Sequence, residues 1–472
     1  MRSVLIIGLI AIVQTVQAQS IYMSGRTNGS AKHAYSKVIG ENNFGIYILK
    51  FRDYELEKDF IIERFSADLN LLESQSYKLN RREKVLKFIL TDSFIHCVTE
   101  TKKTIEQYKI DFTLQNLVPV FKSIPLPSGK TMFDETKVEY SLTKNHISIT
   151  FPYSSNRNIQ LYSTTIRNLK YQNESNHLIS TAFNYRECKL VSTLVTDQGK
   201  FSLLYSRTGR ENRKEKEKFY WISPNLNPSK AKANFMNPYK NLQSAKIYYH
   251  PKTKKSSVLA LYNFGSKGGS QGVAIYNEDF PDESINSPYE DKVINSVEGA
   301  SSLSKDKTVA DLFIRFATPH ANGSFLVVLE KYFVSKEIES FYANGIPQTS
   351  TRNIYNYGDI VLIQFDSMSQ TSWSGIVHKK QSTMGASTYY SSFLFMVSNQ
   401  ETSIVYNEKG TVENRLLMNR FTQKGQHKVQ VLVEPSADLM LGIPIEGRQV
   451  TYNSFVMPVV NGRSQNLIKV VF

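Results

Sequence analysis

Long apolar runs are missing from this chain after its first eighteen residues, which excludes a later transmembrane helix, since a bilayer span needs roughly 20 consecutive apolar residues. Cysteine is almost as scarce. Cys97 and Cys188 are the only two in 472 residues, so there is no CxxC pair for redox or zinc chemistry. The sequence also lacks HExxH, GxSxG, a GxxxxGK[ST] phosphate loop and the EF-hand spacing. Its eight histidines (His33, His96, His146, His177, His250, His320, His378, His427) include no pair at ligand spacing, so each reads as an ordinary strand or surface residue. Metal, cofactor and catalytic sites are therefore all expected to be absent. Long helical patterns are rare too. The best, Ala67 to Ile89, is interrupted and runs into a hairpin at Thr91-Asp92-Ser93.

What is present begins with MRSVLIIGLIAIVQTVQA, which has a basic start at Arg2, an apolar run from Val4 to Val13, and small residues at Val16 and Ala18. That is the pattern of a signal peptide over residues 1–18, cut before Gln19. The expected product is exported and ends up secreted, periplasmic or at the cell surface. No cysteine stands at the cut for a lipid anchor. In an oxidising compartment Cys97 and Cys188 could pair, but nothing local brings them together, and two separate buried thiols is the favoured reading.

The rest of the chain, 12% aromatic and 41% hydrophobic over the whole sequence, is long enough to bury a large core. The net charge of +15 favours acidic partners, though solubility alone explains it as well. The densest basic stretch, RTGRENRKEKEK (Arg207 to Lys218), alternates sign and reads as a solvated hairpin tip, so no specific nucleic-acid partner is expected.

Apolar segments of five to eight residues recur between polar or glycine-bearing breaks: FGIYILKF (Phe44 to Phe51), FIHCV (Phe94 to Val98), HISITF (His146 to Phe151), KFSLLYS (Lys200 to Ser206), SVLALYNF (Ser257 to Phe264), SFLVVLEKYF (Ser324 to Phe333), IVLIQF (Ile360 to Phe365) and SFLFMVS (Ser392 to Ser398). These are strands of ordinary length, and the chain reads as all-β. Laying Ile46 on Ile360 matches IYILKFRDYELEKDF with IVLIQFDSMSQTSWS, with Phe60 beside Trp373, and weaker echoes recur elsewhere. A strand, break, strand unit that recurs is the mark of a repeat architecture.

Several strands are apolar on both faces, so each must be covered on both sides. A sandwich leaves one face of each sheet wet, whereas a ring of small sheets stacked face to face covers the inner strands twice. The expected fold is a single β-propeller over residues 19–472, monomeric, with six to eight blades and seven as the central estimate at about 40 to 60 residues per blade.

The stretch Leu329 to Glu408 resembles a group of secreted, uncharacterised propeller-like proteins of Bacteroidota-type bacteria, through Tyr332-Phe333, the aromatic strand Tyr355 to Ile360, Trp373, Lys380-Gln381 and Tyr389 to Ser392. The N-terminal FGIYILKF and FILTDSFIHCVTETKKTIEQ are similar to the same group more loosely. The resemblance implies the fold and export, and no activity.

Three weaker signals remain. GSKGGSQG (Gly265 to Gly272) could cradle a phosphate but has no following helix, so a hairpin loop is favoured. Glu278, Asp279, Asp282, Glu283, Glu290 and Asp291 offer oxygen ligands without calcium-loop spacing, and a solvated loop is favoured. DSMSQTSW (Asp366 to Trp373) is a faint, single Asp-box-like turn. The functional expectation is a non-enzymatic binding or scaffold propeller that engages a glycan or protein, with Tyr355, Tyr357, Tyr389 and Tyr390 as candidate binding residues, because aromatic faces beside amides suit sugar rings or extended peptide. The alternative is a polysaccharide hydrolase or lyase, which needs two carboxylates at catalytic separation or an arginine cluster at the axial channel.

Overall fold

A computed structural model describes residues 20–25, 35–51, 59–79, 83–120, 123–126, 136–156, 159–169, 174–181, 188–207, 218–222, 234–235, 241–265, 268–297, 307–320, 322–343, 346–398, 401–409, 414–433, 440–461 and 464–472. The candidate signal peptide lies outside them.

The described residues form eight antiparallel sheets. Blade 1 comprises Tyr35–Asn42, Gly45–Phe51, Asp59–Phe65 and Leu71–Lys78. Blade 2 comprises Lys84–Leu90, Ile95–Glu100 and Thr104–Ile110, with two short strands on its outer edge. Blade 3 comprises Lys137–Tyr140, His146–Asn156, Ile159–Asn168 and Glu174–Thr181, and blade 4 comprises Cys188–Val195, Phe201–Arg207, Lys218–Ile222 and Asn234–Phe235. Blade 5 comprises Asn241–His250, Lys255–Asn263, Gly272–Asn277 and Phe280–Pro288. Blade 6 comprises Leu312–Pro319, Phe325–Ala343, Ile346–Phe365 and Thr371–Val377, with Gln381–Met384 added beside its third strand. Blade 7 comprises Leu394–Val397, Glu401–Lys409, Asn414–Thr422 and His427–Val433. In blade 8 the inner position is shared by Met440–Gly442 and Arg448–Thr451, followed by Ser454–Asn461 and Ser464–Val471.

The chain is a β-propeller. Each blade is built from strands in sequence order, and the first strands of neighbouring blades meet around the axis. Blades 6 and 7 meet there through Phe316 packed on Phe393 and Phe395. The ring closes when Ser20–Met23 pairs with Val471 to Ile468 as the outer strand of blade 8. Eight sheets stand at the upper end of the expected range, one above the central estimate.

Eight hydrophobic clusters fill the eight gaps between blades. This is why the second strands carry apolar side chains on both faces: every residue of Gly45–Phe51 is buried, with Ile46 and Leu49 facing opposite neighbours. At about 1.5–3 kcal/mol per fully buried Val, Leu, Ile or Phe, such two-sided strands are the main source of cohesion. All eight apolar segments picked out in the sequence are strands, and Thr91 to Ser93 is a turn in which Thr91 Oγ1 accepts the amide of Phe94. Cys97 is a fully buried thiol in the layer between blades 1 and 2, and Cys188 begins the inner strand of blade 4.

The matched repeat is displaced by one strand: Ile46 lies on the second strand of blade 1, Ile360 on the third strand of blade 6. The basic stretch joins two paired strands, with Arg207 opposite Lys218, and its tip lies outside the described residues.

Candidate functional site

One feature breaks the regularity of the ring. The second strands of the other blades run six to eleven residues, whereas Phe325–Ala343 and Ile346–Phe365 run 19 and 20. Only Phe325 to Glu330 and Ile360 to Phe365 belong to the body of blade 6. A bulge between Glu330 and Tyr332 ends the body; Gln381–Met384 flanks the extension from Ile354 to Tyr357, and beyond it 336–343 and 346–353 run on as a two-stranded ribbon, roughly 25 Å long at about 3.3 Å per residue. It leaves the face where the second and third strands of each blade are joined, here called the upper face.

Strand alternation gives the ribbon two sides of mixed character, with Lys336 and Ser340 among the apolar residues of one and exposed Phe333 and Phe341 among the charges of the other. Val334 opposite Tyr355, Ile338 opposite Thr351, and Tyr342 opposite Pro347 share one side. Glu337, Glu339 and Arg352 share the other, where Arg352 meets Glu339 at 3.1 Å. Ile338 is 68% exposed and Tyr342 79%.

The base of the ribbon is anchored in buried charge. Glu330, at the end of the apolar run on the second strand, is fully buried and accepts from Arg315 Nε at 2.7 Å, Lys379 Nζ at 2.5 Å and Ser392 Oγ at 3.1 Å. Burial pulls the Lys379 ammonium below its usual range, against the pull of Glu330. Arg315 lies 5.3 Å over the Tyr332 ring and Lys379 lies 5.5 Å from the Tyr357 ring, while the two tyrosines stand 5.1 Å apart. Burial pushes the Tyr357 phenol up to about 12, with Tyr332 and Glu330 adding to it. Beside this lies a cleft of about 420 Å³ lined in part by Asp359, His378, Lys379, Tyr406 and Asn407. The buried Asp359 accepts the amide of Lys379 at 3.2 Å and faces His378 Nδ1 at 3.4 Å.

The four tyrosines expected at a binding site divide into two groups. Tyr355 and Tyr357 are half-buried on the Val334 side of the ribbon, near its base. Tyr389 and Tyr390 end a 3-10 turn, Gly385–Tyr390, that reaches across the upper face to blade 1. There the Tyr389 hydroxyl accepts the Ser36 amide at 2.8 Å and donates to the Ser36 carbonyl at 2.6 Å, while its ring packs edge-on against Tyr35. At 4% exposure its ring is occupied as a pin between distant parts of the ring of blades. Tyr390, half-buried, packs edge-on against Tyr389, and its carbonyl accepts from Asn407. Of the resemblance residues, Gln381 ties this region together: it accepts the Ser392 amide and donates to the Asn407 carbonyl, whereas Trp373 lies at the opposite end of blade 6. Sequence reasoning missed Glu330, Lys379 and Arg315. The one signal for them is charge set directly against apolar runs, in LEK, HKK and IRF.

The weaker signals have structural explanations. Gly269 gives its carbonyl to Asn263 and Gln243, and a Cβ on Gly272 would lie 2.1 Å from the Ser287 carbonyl oxygen, so the glycine-rich loop packs tightly in blade 5. Glu278 accepts the Ser256 amide and Asp279 meets Lys255, and among the described residues no group of three His, Cys, Asp or Glu could hold a metal ion. Asp366 accepts the amides of Met368 and Gln370, closing its own turn, and Trp373 donates to the Gln423 carbonyl.

No protein-family model matches the chain, and no curated protein matches it. Among solved structures it is similar to the WD40 domain of SCAP from fission yeast (8% identity, TM-score 0.41, 93% of this chain and 96% of that one). It is also similar to the Nup133 β-propeller domain of Vanderwaltozyma polyspora (11%, 0.39, 83% and 98%) and to the Dos1 propeller (6%, 0.34, 95% and 95%).

Proposed function

We propose that this protein is an exported, non-enzymatic binding propeller whose upper face engages a protein partner through the blade 6 ribbon. The observation that carries this reading is the ribbon itself. An isolated two-stranded hairpin is marginally stable in water, and this one extends exposed Val334, Ile338 and Tyr342 along a single side. A ribbon of roughly 25 Å carrying spaced apolar side chains along one side suits a protein groove better than one or two sugar rings. Tyr355 and Tyr357 continue that side to the propeller body and are the residues expected to contact the partner closest to the axis. Export rests on the N-terminal residues 1–18 and on the resemblance to secreted proteins.

Glu330 is fully buried and held by Arg315, Lys379 and Ser392, which suits an anchor better than a general acid. The test is to crosslink the purified mature protein in its own extracellular or envelope fraction, purify the partner, and measure binding for wild type and for Ile338→Asp with Tyr342→Asp, beside glycan-binding and glycosidase or lyase screens. Direct binding lost in the double variant is expected. Turnover of a polysaccharide that disappears in Asp359→Asn would overturn the reading in favour of a hydrolase or lyase.

A further inference from the structure

On the face opposite the ribbon, the turns that join first to second and third to fourth strands in blades 6 and 7 border a cleft of about 580 Å³. Small-molecule sites fall in the range of about 300–1,000 Å³. The cleft lies at the lower end of the layer between the two blades: Gln364, which lines it, stands opposite Trp373, whose ring stacks on Phe421 within that layer.

The walls are held by their own hydrogen bonds. In blade 6 the His320 amide donates to the Ser324 carbonyl at 2.8 Å, and Gly323, at φ +94°, closes the turn on the His320 carbonyl. Asn322 Oδ1 accepts the amide and the hydroxyl of Ser324 at 3.0 and 2.7 Å. Asp366 Oδ1 accepts the amides of Met368 and Gln370 at 2.9 and 2.8 Å. Gln364 is 7% exposed, with Oε1 3.2 Å from His320 Nε2 and Nε2 donating to the Phe365 carbonyl at 3.0 Å. In blade 7, Ser398 Oγ accepts the Glu401 amide and donates to the Glu401 carbonyl, and the Gln423 carbonyl accepts from Trp373 Nε1 at 2.9 Å. Among the described residues this bonding leaves Asn322 Nδ2, Asp366 Oδ2 and the hydroxyls of Ser367 and Ser372 available in the cleft wall.

Charge and polarity then sort the ligands such a wall can take. No lysine or arginine lines the cleft, so an anion would meet no counter-charge. Asp366 is the one carboxylate of the lining, two amides already offset its charge, and the net +15 of the chain disfavours the approach of a cation. Burial holds His320 below its usual range, so it lines the cleft as a neutral ring. Pro319 and Val397 are the apolar members of the lining, too few to hold an apolar ligand. What the wall asks for is a neutral molecule that donates to Asp366 and, at adjacent atoms, both donates to and accepts from an amide and hydroxyls. A hydroxyl does both, and a ring bearing several adjacent hydroxyls meets every group at once.

We infer that this lower-face cleft between blades 6 and 7 binds a neutral mono- or disaccharide through its hydroxyls, with Asn322, Asp366, Ser367 and Ser372 as the contacting side chains. The site shares no residue with the ribbon and stands or falls independently of the protein partner.

Trp373 supplies a local reporter, since it follows Ser372 and is bonded to Gln423, whereas the other tryptophan, Trp221, is fully buried in blade 4. The purified mature protein is titrated with glucose, galactose, mannose, N-acetylglucosamine, maltose and cellobiose, and with glucuronate and glucosamine as charged counterparts, and followed by tryptophan fluorescence and saturation-transfer NMR. Saturable binding of at least one neutral sugar is expected, with glucuronate and glucosamine at least tenfold weaker. Asp366→Asn keeps an acceptor for the Met368 and Gln370 amides while removing the carboxylate, and should weaken binding about tenfold or more. Ser372→Val, at an exposed position on the outer strand of blade 6, should weaken it as well, whereas Tyr342→Asp on the ribbon should leave it unchanged. No saturable binding of any of the neutral sugars, glucuronate or glucosamine bound as tightly as they are, or binding unchanged in both Asp366→Asn and Ser372→Val would overturn the inference.

Discussion

His96 gives the sharpest test of the packing between blades 2 and 3. It is fully buried on the second strand of blade 2, its Nδ1 is 3.1 Å from the Tyr140 hydroxyl, and Phe94 and Tyr140 meet its ring edge-on. Burial first, and then the positive charge of Arg167, lower its pKa from 6.5 to about 3. A histidine whose folded pKa is depressed takes up its proton only on unfolding, so between about pH 6.5 and pH 3 the unfolded chain binds more protons and stability falls as pH falls. Integrating the two titrations from pH 7 to pH 4.5 gives a loss of about 2.5 kcal/mol from this one side chain. His146, His250, His320 and His427 are shifted in the same direction by burial, so the wild-type loss is larger than that, and a difference measurement is needed to isolate His96. His96→Gln keeps a hydrogen-bonding group near Tyr140 and does not titrate. Urea unfolding followed by intrinsic fluorescence at pH steps from 7 to 4.5 should give a wild-type curve steeper than that of His96→Gln by about 2.5 kcal/mol over the window. Parallel curves would mean that His96 titrates normally and that the tight packing around it is wrong.

Other perturbations probe other joints. Lys379→Met should destabilise the protein by about 3–5 kcal/mol by stranding the buried Glu330 carboxylate, and adding Glu330→Gln should recover part of that loss in the same urea assay. Tyr389→Phe removes both hydrogen bonds to Ser36 and should cost about 1–2 kcal/mol, with faster hydrogen exchange in Tyr35–Asn42 as its local sign. Gly272→Ala drives a methyl into the Ser287 carbonyl and should lower the melting temperature, whereas Gly25→Ala, with nothing within 4 Å, should leave it unchanged. A thiol reagent should leave Cys97 unmodified in the native protein and label it once urea has unfolded the chain.

The all-β, ringed architecture was legible because it depends on a local property. A strand such as Gly45–Phe51, apolar at successive positions, is stable only between two neighbours. Blade register is not local in that sense. Ile46 aligned with Ile360 because second and third strands are both covered on two sides and look alike in sequence. The central estimate fell one blade below the eight sheets for a related reason. The ribbon and its base add more than 20 residues to blade 6 that belong to no blade body and so inflate the apparent residues per blade, while blade 8 divides its inner position between two short strands and takes Ser20–Met23 from the other end of the chain.

The sites were less legible because they are assembled across blades. Tyr389 reads in sequence as one aromatic near a break, and its role appears only when a partner 353 residues away, Ser36, is placed against its hydroxyl. The charges at the base of the ribbon follow the same logic. Arg315, Glu330 and Lys379 stand 15 and 49 residues apart, and each reads singly as a solvated charge beside an apolar run. Only the folding of blade 6 brings the Arg315 and Lys379 cations onto the one buried Glu330 carboxylate, so the anchor exists in the tertiary structure and in no single stretch of sequence.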